Sequence, residues 1–110
     1  MNGAERRQYD RIPFRTELTI IDLATQARYS GFSIDLSLGG MGFYVERFFE
    51  KGTPIDIIAK DNHPGCQPTR ITATVQWTKV EEGGAIIGAR FSQQLSPAFH
   101  PELCDRLYSM

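Results

Sequence analysis

From Thr69 to Val80 the chain alternates without a break. Ile71, Ala73, Val75 and Trp77 fall on one side, and Arg70, Thr72, Thr74, Gln76 and Thr78 fall on the other. A period of two fits an extended strand with one buried face; on a helix the same residues would scatter around the axis. Glu81-Glu82-Gly83-Gly84 then supplies a turn, and Ala85 to Phe91 returns as an apolar partner. The chain must therefore accommodate an antiparallel hairpin whose inner face is expected to include Trp77. A lone hairpin is marginal in water, so further strands have to complete it.

Four more segments qualify. Phe14 to Leu23, Arg28 to Ser37, Met41 to Glu46 and Pro54 to Lys60 are rich in β-branched or aromatic residues, and Ile55, Ile57 and Ala59 share a face. Between them lie Ala24-Thr25-Gln26, Gly39-Gly40, a linker from Phe48 to Gly52, and the loop Asp61-Asn62-His63-Pro64-Gly65. Residues 1–13 read as a flexible, arginine-containing arm, and 14–95 as the β domain. Residues 96–110 read as a short helix, opened by Ser96-Pro97 and carrying Phe99, Leu103 and Leu107 at a spacing of four. The fold class is all-β with a short C-terminal helix, as a small antiparallel barrel or sandwich.

Composition removes several classes of function. With 110 residues, the chain makes one domain. A net charge of −1 gives no field to recruit nucleic acid or an anionic membrane, and the arginines do not form a basic, aromatic-studded face. No apolar run approaches the roughly 20 residues of a spanning helix. The first residues are polar and basic rather than leader-like, so a cytoplasmic location is expected. The only histidines and cysteines are His63, Cys66, His100 and Cys104, too sparse and too scattered for a metal site to be expected. Neither a nucleophile–histidine pairing near Ser37 nor a placed pair of carboxylates is legible, so no catalytic residue is assigned. Phe43, Tyr44, Phe48 and Phe49 read mainly as core, with Tyr44 or Phe48 left for an exposed patch.

The stretch that asks for a functional reading is Ser33-Ile34-Asp35-Leu36-Ser37-Leu38-Gly39-Gly40-Met41-Gly42. In an extended chain Asp35 and Ser37 share one face, while Ile34, Leu36 and Leu38 share the other. Gly39-Gly40 is expected to turn through left-handed backbone, leaving bare amides beside the carboxylate and hydroxyl. A carboxylate can accept from guanine N1–H and its exocyclic amine, and serine or glycine amides can donate to phosphate. In the arm, Arg7 and Arg11 stand four apart and offer forked donors for phosphate or a guanine edge. Taken alone, the arm would read as solvated; taken with Asp35, it points to a guanine nucleotide.

These residues resemble a known family. Arg7-Gln8-Tyr9-Asp10-Arg11 matches the RxxxR motif of PilZ domains, and Asp35-Leu36-Ser37-Leu38-Gly39-Gly40 matches their D/NxSxxG motif, in the family's order. Gly88-x-Arg90-Phe91 is also similar to the family's late strand. The resemblance implies a six-stranded antiparallel barrel and a receptor for the second messenger cyclic di-GMP. It implies that Arg6, Arg7, Arg11, Asp35, Ser37, Gly39 and Gly40 contact the ligand, with Arg6 able to reach a second ligand molecule. It further implies a bacterial, non-enzymatic adaptor in motility or biofilm regulation. No cofactor beyond the ligand is expected, nor membrane insertion, nor a nucleic-acid polymer. The expected partners are cyclic di-GMP and an unidentified downstream protein, with the chain a monomer or weak homodimer. The alternative is a nucleotide-independent interaction module of the same fold in motility or surface-polymer machinery.

Overall fold

Each alternating segment forms a strand. The computed structural model describes residues 11–60, 68–96, 98, 100, 101, 103 and 104. Its strands are β1 (Ile12–Pro13), β2 (Glu17–Asp22), β3 (Arg28–Leu36), β4 (Gly40–Val45), β5 (Pro54–Ala59), β6 (Thr69–Glu81) and β7 (Gly84–Phe91). All pairings are antiparallel and run β3–β2–β5–β6–β7–β4, and β4 pairs back onto β3. Six strands thus close a barrel, with β1 added at the end of β3.

Closure places one side chain in two inside. Ile20, Leu36, Phe43, Ile55, Ile57 and Ile87 are fully buried, each burial contributing about 1.5–3 kcal/mol. The shared face of Ile55, Ile57 and Ala59 points inward as expected. Residues 1–10, which hold most of the expected arm, lie outside the described residues; the arm's last two residues pair with Leu36 and Asp35. Between β1 and β2 the ladder is interrupted, and Ser33 repairs it. Its buried hydroxyl donates to the Phe14 carbonyl at 2.6 Å and accepts from the Thr16 amide at 2.8 Å.

Two β-bulges overturn the expected facing of two segments. In the β3–β4 ladder Ser33 opposes Phe43 and Asp35 opposes Gly42, so Ile34 is the extra residue. Ile34 therefore does not share a face with Leu36: it is exposed, while Ser33 and Leu36 point inward. In the β6–β7 ladder Val75 opposes Ala89 and Trp77 opposes Gly88, leaving Gln76 extra. The insertion inverts the phase of β6, and Trp77 lies outside at 48% exposure rather than in the core.

The turn at Gly39-Gly40 also differs from expectation. Left-handed backbone occurs among the described residues at Gln26, Gly52 and Gly83, and not at Gly39 or Gly40. Ser37 closes this turn instead. Its amide donates to the Gly40 carbonyl at 2.9 Å, and the Gly40 amide donates to Ser37 Oγ at 3.1 Å. Gly40 is needed for space, because a Cβ there would collide with the Ala89 carbonyl oxygen on β7.

The short helix expected over 96–110 is not shown, most of that stretch lying outside the described residues. Leu95, Leu103 and Cys104 do join the core. The Leu95 amide donates to the Leu38 carbonyl at 2.8 Å, and the Phe91 amide to the Gly39 carbonyl at 2.9 Å. The chain after β7 is thereby sewn to the Ser37–Gly40 turn. No helix among the described residues is long and apolar enough to cross a membrane.

Candidate functional site

Strand register lines up four residues across the outer face of the barrel. Asp35 on β3 opposes Gly42 on β4, Gly42 opposes Gly88 on β7, and Gly88 opposes Trp77 on β6. The two middle positions lack side chains, and the two end residues lie down over them. A Cβ on Gly42 would stand 2.7 Å from Asp35 Oδ1, and one on Gly88 would fall within the Trp77 indole. Adjacent strands are about 4.8 Å apart, so carboxylate and indole approach each other over neighbouring glycines. Each end residue directly follows a bulge, and the bulge turns it onto this face.

Arg11 completes the carboxylate end. Its Nη1 donates to Asp35 Oδ1 at 2.9 Å, and the same oxygen accepts from the Gly42 amide at 2.9 Å. Asp35 Oδ2 accepts no hydrogen bond from any described residue. Both side chains of the pair are about one-third exposed, at 32% and 34%, so water screens the attraction and the pair is exchangeable.

Beside this row opens a cavity of about 370 Å³, lined by Arg11, Ser37 and Gly40 on one flank and Trp77, Gly88 and Arg90 on the other. Its size lies within the range that small-molecule sites occupy. Arg90 is exposed, forms no ion pair with any described residue, and adds a cation to the wall. The set can stack a planar ring on the indole, accept from paired N–H donors at the carboxylate, and attract an anion between Arg11 and Arg90.

Of the residues singled out in the sequence, Arg11, Ser37, Gly39 and Gly40 line the cavity, and Asp35 reaches it through Arg11. Ser37 is buried and its hydroxyl serves its own turn, so its structural part is to hold Gly39 and Gly40 in place. Arg6 and Arg7 lie outside the described residues, as do His63 and Cys66. His100 and Cys104 are buried and do not line the cavity, and His100 Nδ1 accepts from the Ser96 amide at 3.2 Å. Sequence reasoning missed Gly42, Gln76, Trp77, Gly88 and Arg90 as site residues. The motif-like Gly88-x-Arg90 was visible, but the pairing of Gly88 with Trp77 depends on a bulge.

The sequence matches the family model of the PilZ domain over residues 5–105. Comparison with curated protein sequences found no match. Among solved structures the fold is similar to the PilZ domain of YcgR from Escherichia coli with c-di-GMP, at 21% identity and a TM-score of 0.71, covering 94% of this chain and 90% of that one. It is also similar to the Bacillus subtilis inhibitor of motility MotI, at 16% identity and a TM-score of 0.71, where 94% of this chain covers 52% of the other. A third likeness is to the PilZ domain of CeSA from a cellulose-synthesizing bacterium, at 16% identity and a TM-score of 0.58, covering 91% of this chain and 96% of that one. At such identities the likeness is one of fold.

Proposed function

The chain belongs to the PilZ domain family, and from that membership we propose that it is a receptor for cyclic di-GMP that passes ligand occupancy to a partner protein. The observation that carries this reading is the register row Asp35–Gly42–Gly88–Trp77 with Arg11 on its carboxylate. Asp35 accepts from N1–H and N2–H of one guanine, the edge that adenine lacks, and Trp77 stacks a purine face. Arg11 meets Asp35 through one N–H, on Oδ1, where a guanine edge brings two and can also fill Oδ2. On binding, the ligand takes that position, and Arg11 turns to a phosphate or to the base. Arg90 supplies the second positive contact.

Arg7 stands four residues before Arg11, no more than about 14 Å of extended chain, so it and Arg6 can close over the bound ligand. A change in the arm's conformation on ligand binding is what a partner would read. The relative solved with c-di-GMP supports the choice of ligand.

Isothermal titration tests the reading, with GTP and cyclic di-AMP as controls. Binding of cyclic di-GMP alone is expected at micromolar affinity or better, about −8 kcal/mol. Arg11→Ala and Trp77→Ala should each weaken it by about five- to 150-fold, since one guanidinium fork or one stacked base is worth roughly 1–3 kcal/mol. Unchanged affinity in both variants would refute the site. A flat trace from folded wild-type protein would favour the nucleotide-independent interaction module.

A further inference from the structure

The barrel is closed, yet β6 outruns its neighbour. β5 pairs with β6 only from Thr69 to Thr74, and the Thr53 carbonyl and Gly52 amide then bond to Val75. Beyond Val75 this edge of β6 has no backbone partner among the described residues. At its tip Glu81 opposes Gly84 across a two-residue turn in which Gly83 has φ +77°. Residues closing such a turn exchange both backbone bonds, so the N–H and C=O of the preceding residue, Val80, point to the open edge. Val80 is 70% exposed, the most exposed of the large hydrophobic residues described. The Thr78 hydroxyl donates to the Phe49 carbonyl at 2.5 Å, which sets the exposed Phe48 at the same end of the molecule.

We propose that this edge pairs with the same edge of a second copy of the chain, β6 against β6, antiparallel about a two-fold axis through Val80. Charge fixes the register. With Val80 opposite Val80 of the other copy, Lys79 of each copy faces Glu81 of the other, twice over. Shifting the axis to Lys79 would set like charges directly opposite, which is destabilising. A lysine on an open edge ordinarily blocks strand addition. Here Lys79 and Glu81 flank Val80 symmetrically and are already within 3.6 Å of each other in the single chain, so the block becomes a self-complementary pair. The amides of Val80 point the right way to form both central bonds. So short a pairing buries little surface and makes a weak dimer, populated as concentration rises. The axis lies three residues beyond Trp77, about 10 Å along β6, and Val80 does not line the cavity.

Sedimentation equilibrium of the full chain, from low micromolar to near-millimolar concentration, tests the proposal. The wild type should pass from monomer to dimer, and Val80→Lys should remain monomeric with an unchanged melting temperature. Lys79→Glu and Glu81→Lys should each abolish the dimer, because each places like charges face to face. An equimolar mixture of those two variants should restore it, since every facing pair is then opposite in sign. A monomeric wild type throughout the range would overturn the proposal. So would a dimer that survives both charge reversals, or a mixture that stays monomeric.

Discussion

Gly88 is where one missing carbon decides the most. Its backbone is not left-handed, so alanine is conformationally admissible there. The added Cβ, however, would occupy the place of the Trp77 indole. An indole can swing away, whereas a backbone carbonyl cannot, so Gly88→Ala should displace the ring and spare the barrel. The expected result is about a tenfold loss of cyclic di-GMP affinity, about 1.4 kcal/mol, with the melting temperature moved by no more than a few degrees. Titration and thermal unfolding of the variant check both halves. Undiminished binding would show that the ring's position on Gly88 is immaterial. Gly40 behaves differently, since its absent side chain is excluded by the Ala89 carbonyl, and substitution there acts on the β4–β7 pairing itself.

At the scale of the element, Ser33 is a core residue in polar dress. Its hydroxyl bonds two backbone groups where β1 gives way to β2, and all three participants are buried. Ser33→Ala removes the acceptor of the buried Thr16 amide, at a cost of about 1–3 kcal/mol. Urea unfolding should show this as a lowered midpoint with an unchanged slope. A loss within experimental error would mean that the break needs no stitch. The six barrel strands were legible because alternation and turn residues are local properties, written into each segment by the need to bury one face. The bulges at Ile34 and Gln76 were not legible, because an extra residue is defined by the partner strand, and no single segment records its own register. For the same reason Asp35 could be nominated from sequence while Trp77 was assigned to the core, although the two residues end the same row.

For the whole molecule, closing the ring joins distant parts of the chain. β2 meets β5, β4 meets β7, and the return of β4 to β3 shuts the barrel. The carboxylate end of the site belongs to the first half of the sequence and the indole end to the second, so the row exists only once the barrel has closed. The turn that carries Ser37 and Gly40 is also bonded to the chain that follows β7, which ties the cavity floor to the C-terminal core. Trp77 gives this arrangement an optical consequence. The chain holds a single tryptophan, and it lies half in solvent on the face assigned to the ligand. Its ultraviolet emission therefore reports from one place alone. A guanine stacked against it should quench that emission, and quenching should saturate at the occupancy measured by titration. Emission unaltered by saturating ligand would place the base elsewhere. With the proposed ligand, the unlabelled protein would serve as its own fluorescent gauge of ligand concentration.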